Sequence, residues 1–349
     1  MSLAMGLSGP SLRTRRLSPA VAVAGAAAAV ALTAAVFAVT PFAGTAEFVI
    51  VAVIAVLAVV IGLSWRTEGR RRAVNRLVTT GAVLSFLIAL VPLVAVLGYT
   101  VSRGLKRLSP NFLSHSMGGI GTLEASGGVY HSVIGTLEQV GLASIIAIPL
   151  GLLVSIYITE YGHGRLASSL RFFIDVMTGV PSIVAGLFVF AFWVLGLHQG
   201  FSGFAAAMSL AILMLPVVVR TAEEMIRLVP DDLREASYAL GVPKWRTIVS
   251  IVLPTALTGI TTGVLLAVAR VTGETAPLLL TASGLDYIHF NPFSGAQSAL
   301  PLFVFQQTQS AFNVAIDRAW AGALTLILIV VALYVTARLL TRRNTLTRR

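Results

Sequence analysis

The chain has 349 residues, of which 56% are hydrophobic and only 11% charged, and its mean hydropathy is +0.89. Soluble domains carry roughly 25% charged residues, so the composition excludes an ordinary soluble fold. No cysteine is present, which excludes disulfides, thiolate metal sites and cysteine nucleophiles. The net charge of +11 sits in short arginine clusters beside apolar runs, the pattern of loops held in the cytoplasm and not of a nucleic-acid surface.

Apolar runs of about 20 residues, long enough for a helix to cross a bilayer, recur along the chain. The alternating pattern of a membrane barrel, in segments of about ten residues, is absent. The expected fold class is an all-α membrane protein, a polytopic bundle of about eight transmembrane helices near 20–41, 46–64, 77–101, 133–158, 172–196, 203–220, 253–280 and 318–340. The first run follows "RTRR" as a signal peptide would, but it exceeds the roughly 7–15 apolar residues of a signal sequence. An even number of spans puts both termini in the cytoplasm. Three clusters agree with that: Arg13, Arg15 and Arg16; Arg66, Arg70, Arg71, Arg72 and Arg76; and Arg338, Arg342, Arg343, Arg348 and Arg349. Arg103, Lys106 and Arg107 are discordant, because they fall outside at the start of the long, glycine-rich loop 101–132.

The expected organisation is a two-span N-terminal extension over 1–75, a core over 76–341 with a cytoplasmic loop at 221–250, and a basic cytoplasmic tail over 342–349. The two extra spans are rich in Ala and Val and are expected to pack or anchor.

In the loop, "VPDDLREASYALGVP" predicts a short capped helix. Pro230 breaks the preceding helix, and Asp231 or Asp232 suits the N-cap, with its charge at the positive dipole end. Gly241 suits a left-handed C′ position, with Pro243 preventing continuation. Leu233, Ala236, Ser237 and Leu240 share one helical face that is small in its middle, bordered by Arg234 and Glu235. The onward spacing is Glu235-Ala236-Ser237, three residues, Gly241, nine residues, Ile251-Val252-Leu253-Pro254. It resembles the EAA loop of ATP-binding-cassette importer permeases, with Ser237 replacing the second alanine. That resemblance implies a coupling helix (Asp232, Arg234, Glu235, Ala236, Ser237, Gly241) docking into a separate ATPase subunit. The two lysines, Lys106 and Lys244, follow Leu105 and Pro243, so no G-x-x-x-x-G-K-[ST] loop exists. ATP and Mg are expected only in the partner ATPase, and no cofactor in this chain, which is expected not to be an enzyme.

Further stretches, among them "TGVPSIVAGLF" (178–188), "LPVVVRTAEEMIRLVPDDLREAS" (215–237), "VARVTGETAPLLLTA" (268–282) and "NPFSGAQSALPLFVFQQ" (291–307), resemble phosphate-specific importer permeases, in particular their A-type subunit. The resemblance covers roughly 75–340 and leaves the first two spans outside the pattern. It implies a plasma (inner) membrane location, a related C-type permease subunit, an external phosphate-binding protein and a dimer of ATPase subunits.

Ionisable groups within spans are costly and point to function. Arg220 and Glu223 lie three residues apart at a span end, and Arg270 and Glu274 four apart in the seventh run. A guanidinium offers phosphate a planar fork of donors, and neighbouring carboxylates keep binding weak enough for release. The four residues also match charged positions of the family motif. Duller roles stand beside these: Arg220 snorkelling to headgroups, Arg270 and Glu274 as a structural pair, and Asp175 pairing with Arg171 one turn back. Gly259 and Gly263 are expected to permit close helix packing, and Thr272, Gly273 and Thr275 ahead of Pro277 to break the helix beside a cavity.

Rival functions fare worse. His115, His131, His163, His198 and His289 lack the spacing of an intramembrane metalloprotease, and Gly284-Leu285-Asp286 lacks the first glycine of an aspartyl type. An ATP-independent anion transporter leaves the coupling loop unexplained. Sulfate and molybdate permeases share a stretch like Ala269-Arg270…Gly273-Glu274, while "TAPLLLTA" and "NPFSGAQSALPLF" favour phosphate.

Overall fold

The structure, a computed structural model, describes residues 17–39, 44–121, 123–162 and 164–346. The cluster of Arg13, Arg15 and Arg16, His163, and the terminal Arg348 and Arg349 lie outside the described residues, as do the side chains of Arg342 and Arg343. Among the described residues the architecture is helical, with only two isolated β-bridges. Among the described residues seven helices are long and apolar enough to cross a membrane, or eight if one sharply bent pair counts as a span. The protein is an integral membrane protein.

The chain forms two compact units, divided between Val96 and Leu97. In the first, α1 (Pro19–Val39) and α2 (Thr45–Glu68) form an antiparallel hairpin. Gly25 lies against Leu63 and Val59, and Phe37 meets Phe48 edge-on at the other end. Glu68 ties the hairpin at its open end. It accepts from Leu17 N at 2.8 Å and Ser64 Oγ at 2.7 Å, and pairs with Arg76 at 3.0 Å. One of the expected cytoplasmic arginines is thereby neutralised within the unit. α3 (Arg70–Gly104) starts within the arginine cluster, earlier than the apolar run suggests, and crosses the division between units.

The second unit continues with the short α4 (Pro110–Ser114) and with α5 (Tyr130–Ile156), which ends in a π-helical turn at Tyr157–Tyr161. The expected fifth span, 172–196, is not one straight helix. α6 (Arg165–Thr178) and α7 (Ser182–Val189), the latter extended by a π-helical stretch to Gly196, meet at 106°. The break follows from "GVP". Pro181 removes a donor and pushes Val180 out of the α region, and α6 stops at Gly179.

α8 (Gly203–Arg227) is the centre of this unit and is mostly buried. Its Ala206, Ala207, Leu210, Met214 and Val218 belong to the main core, with Ala143 and Ala147 of α5 opposite. Small residues permit the approach: a Cβ on Gly151 would sit 2.7 Å from Val218. α9 (Asp231–Ala239) and α10 (Lys244–Thr247) form the polar interlude, and α10 passes through a π-helical turn into α11 (Leu253–Thr272).

α11 runs antiparallel to α8. Gly259 faces Met225 and Gly263 faces Thr221, so the G-x-x-x-G is the contact expected of it. α11 stops at Thr272 with Gly273 as its cap, and the chain restarts as α12 (Ala276–Thr281), the break the sequence suggests. α13 (Leu300–Thr308) and α14 (Asn313–Leu346) complete the unit.

Candidate functional site: a charged mouth, a capped polar helix and a broken span

The end of α8 enters a charge cluster built by three elements. Glu223, buried to 3% exposure, sits under three arginines: Arg227 Nη2 at 2.6 Å, Arg220 Nη1 at 3.1 Å and Arg171 Nε at 3.6 Å. Arg220 and Arg227 reach it from the same helix face, one turn to either side; Arg171 reaches across from α6 and also donates to Ile158 O at 2.8 Å. Asp175 does not pair with Arg171 as expected. It pairs with Arg220 instead, because α6 packs against α8. Arg220 is therefore held between two carboxylates and is no simple headgroup anchor. The group is three guanidiniums tempered by two carboxylates, so it attracts an anion without a large excess charge.

Beside it lies a cavity of about 430 Å³ lined by Glu160, Arg171, Arg227, Arg234, Tyr238 and Lys244, among others. Lys244 Nζ stands 5.0 Å from the centre of the Tyr161 ring, a cation–π arrangement.

α9 departs from expectation at its start and on its face. Pro230 occupies the N-cap position with no side-chain cap, and Asp231 and Asp232 fall in the first turn, where they still complement the dipole. The C-terminus behaves as predicted. Gly241 has φ +75°, its N–H donates to Tyr238 O at 2.9 Å, and Val242 N–H donates to Ser237 O at 3.2 Å, a Schellman closure.

Two of the predicted docking residues point inward. Ser237 is buried and shares a 2.8 Å hydrogen bond with Thr247 Oγ1, tying α9 to α10. Arg234 is half-buried and also points inward: Nε and Nη2 donate to Glu160 Oε1 at 3.2 and 2.9 Å, and Nη1 and Nη2 to Val229 O and Ile226 O at 2.6 and 3.0 Å. It also pairs with Asp231. Helical phase explains both, since α9 rests on the ends of α5 and α8 through the side bearing Arg234 and Ser237. The outward side carries Asp232, Leu233, Glu235, Ala236 and Leu240, the last 83% exposed, with Trp245 of α10 nearby. This is an open, small-centred face with two acids, Asp232 and Glu235, at its border.

The second charged pair lies elsewhere. Arg270 Nε is 4.0 Å from Glu274 Oε1 across the break after α11, and Arg270 is 62% exposed in this single chain. Gly263 is level with Thr221, and Arg270 lies seven residues further along α11. At 1.5 Å per residue it is about 10 Å deeper than Arg220. The structure therefore does not gather Arg220, Glu223, Arg270 and Glu274 into one site; it sets them as two stations along the α8–α11 axis.

Several polar residues escape a sequence reading. Glu160 pairs with Arg234, and Arg171 with Glu223, only through the tertiary fold, with no local spacing to reveal either pair. At the far end of α5, Gln297 Nε2 donates to Glu138 Oε2 at 2.5 Å and to His289 O at 3.0 Å, while Gln139 Nε2 donates to Gln297 Oε1 at 3.0 Å. Thr136 Oγ1 accepts from Leu300 N at 2.7 Å. The only signal was the quoted segment 291–307, whose role in pinning α13 to α5 needed the fold. Among the described residues no cluster of His, Cys, Asp or Glu has a metal-binding arrangement.

Comparison with known proteins places this geometry in context. Residues 147–345 match the family model described as "Binding-protein-dependent transport system inner membrane component". The chain is 47% identical over 282 residues to the phosphate transport system permease protein PstA 1 of Mycobacterium tuberculosis, covering 79% of this chain and 92% of that protein. It is 38% identical over 270 residues to the phosphate transport system permease protein PstA of Pasteurella multocida, covering 77% and 95%. Among solved structures, the MetNI methionine ABC transporter in inward-facing conformation aligns at 16% identity with a TM-score of 0.49, over 62% of this chain and 94% of that one.

Proposed function

The chain belongs to the family of binding-protein-dependent transport system inner membrane components, and on that premise we propose that it is the permease subunit of an ATP-driven importer carrying inorganic phosphate into the cytoplasm. The observation that carries this is the 47% identity with a phosphate permease along 92% of that protein's length. The arginines of the charged mouth, each facing a carboxylate, are chemically suited to an oxyanion that must bind and leave.

Membership of the family implies an ATPase and a substrate-binding protein as partners. The ATPase subunits, a pair holding ATP and Mg, dock on the outward face of α9 around Leu233, Glu235, Ala236 and Leu240. A related C-type permease covers the exposed Arg270 side and completes the pathway, and an external protein delivers phosphate. The permease core runs over 76–341, preceded by a two-span extension over 1–75 and followed by a basic tail over 342–349. Both termini and α9 face the cytoplasm, in the bacterial inner membrane. Arg220, Glu223, Arg270 and Glu274 line the route; Asp232, Arg234, Glu235, Ala236, Ser237 and Gly241 form the coupling element, with Arg234 and Ser237 holding it from within.

The test is uptake of labelled phosphate by cells expressing the chain with its neighbouring transport genes, with and without excess sulfate or molybdate, before and after ATP depletion. ATP-dependent uptake indifferent to the competitors is expected. Competition by sulfate or molybdate would move the cargo to another oxyanion, and uptake indifferent to ATP would refute the coupling role of α9.

A further inference from the structure

The discordant Lys106 and Arg107 lie in a feature that the transport function leaves unused. Where α3 ends, the chain turns back through α4, and Val129 N and Tyr130 N close the turn on Phe112 O and His115 O at 2.8 and 3.0 Å. The turn encloses a cavity of about 480 Å³ whose polar lining includes Lys106, Arg107, Ser109, Asn111, His115 and Ser116. Small-molecule sites are typically of roughly 300–1,000 Å³. No carboxylate lines it; the nearby Glu124 carboxylate accepts from Ser126 Oγ at 3.1 Å.

The donors are only partly used. Arg107 Nη2 makes one long contact to Ser126 O, 3.4 Å, and Arg107 Nε is buried with no hydrogen-bond partner. Beneath the loop, Arg318 is buried and donates to Glu124 O and Ser126 O at 3.4 and 3.3 Å, with the Glu124 and Asp286 carboxylates offsetting part of its charge. The cavity adjoins the start of α5, whereas Glu160, which holds the coupling helix, ends the same span. At 1.5 Å per residue the two lie about 45 Å apart, at opposite mouths of the protein.

We propose that this cavity binds a phosphate-type oxyanion, with Lys106 and Arg107 as its principal ligands. On the import reading, on which only this placement rests, it is an outer receiving site, separate from the charged mouth around Glu223. It also explains why Lys106 and Arg107 lie in a loop where orientation rules disfavour them. The oxyanion is either free phosphate or the phosphate of a lipid headgroup, since both present the same oxygens to the same fork of donors.

Lys106 and Lys244 are the two lysines of the chain, so acylation by an amine-selective reagent, followed by mass spectrometry, reads the site directly. The full chain is reconstituted in phosphatidylcholine nanodiscs and labelled with increasing inorganic phosphate, with chloride matching the ionic strength. Phosphate is expected to slow Lys106 acylation saturably relative to Lys244. Arg107→Ala should raise the phosphate needed for half-protection by roughly tenfold or more, the effect of losing one charge-assisted hydrogen bond. A parallel sample in phosphatidylglycerol nanodiscs without phosphate separates the sources: protection there, with no further effect of phosphate, identifies the headgroup. Lys106 labelling that is unchanged in both arms, or slowed equally at Lys106 and Lys244, overturns the proposal. Uptake is not the readout, so failure here leaves the import function standing.

Discussion

Arg234 of α9 and Glu160 at the end of α5 lie 74 residues apart in the chain yet share a forked ion pair at 2.9 and 3.2 Å, with side chains only 13% and 5% exposed. On the proposed coupling role, α9 needs a stiff joint to the span, and this pair would supply it. Breaking a buried pair by removing one partner costs about 3–5 kcal/mol, because the other charge stays behind unpaired. Arg234→Ala and Glu160→Ala are each expected to cut phosphate uptake by an order of magnitude while the permease stays in the membrane. The exchange Glu160→Arg with Arg234→Glu should recover part of it. Uptake within twofold of wild type in either single variant counts against the joint.

Glu235 differs from Arg234 by one residue and by role. It projects from α9, exposed beside Leu233 and Ala236, and forms no ion pair among the described residues. Glu235→Lys should therefore leave thermal stability within about 0.5 kcal/mol, as surface changes do, yet abolish co-purification of the ATPase subunits and uptake. Retention of the ATPase at wild-type stoichiometry would show that this face is not the docking surface.

The contrast between these neighbours shows what a sequence conveys. Cap chemistry and spacing are local, so Gly241, Pro243 and the length of α9 were legible, as were the glycine contact on α11 and the break at Thr272–Thr275. Which side of α9 faces inward was not, because the side is chosen by Glu160 and Thr247, residues remote in sequence. Asp175 had a local partner available in Arg171 and took Arg220 instead, since packing of α6 on α8 outweighs an i,i+4 contact worth only about 0.2–0.5 kcal/mol. The sharp bend between α6 and α7 was written in "GVP", but continuous hydropathy masked it.

The two glycines of α11 should respond differently to a methyl group. A Cβ on Gly263 would lie 2.6 Å from Thr221, whose Oγ1 is itself fixed to Val217 O at 2.8 Å. On Gly259 it would meet Met225, a flexible side chain that can swing aside. Gly263→Ala is expected to destabilise by about 1–3 kcal/mol through overpacking, and Gly259→Ala by less than about 1 kcal/mol. Thermal inactivation in detergent reads both. Equal losses would mean that α8 and α11 approach differently.

Glu223 tests the charged mouth most directly. It is the buried counter-charge of Arg171, Arg220 and Arg227, which keep between a third and three-fifths of their side-chain surface exposed, so solvent screens part of the loss. Glu223→Gln keeps the shape and removes the charge, and is expected to cost about 1–3 kcal/mol of stability. It also leaves the arginines more cationic, so an anion reaching them should be held longer, and uptake should fall. Arg270→Ala, about 10 Å deeper, removes a donor that carries no such cluster; it should abolish uptake with assembly and melting temperature unchanged. If Arg270→Ala transports normally at wild-type protein levels, the deeper pair is structural and the mouth around Glu223 alone handles the anion. If Glu223→Gln transports normally while less stable, the opposite holds.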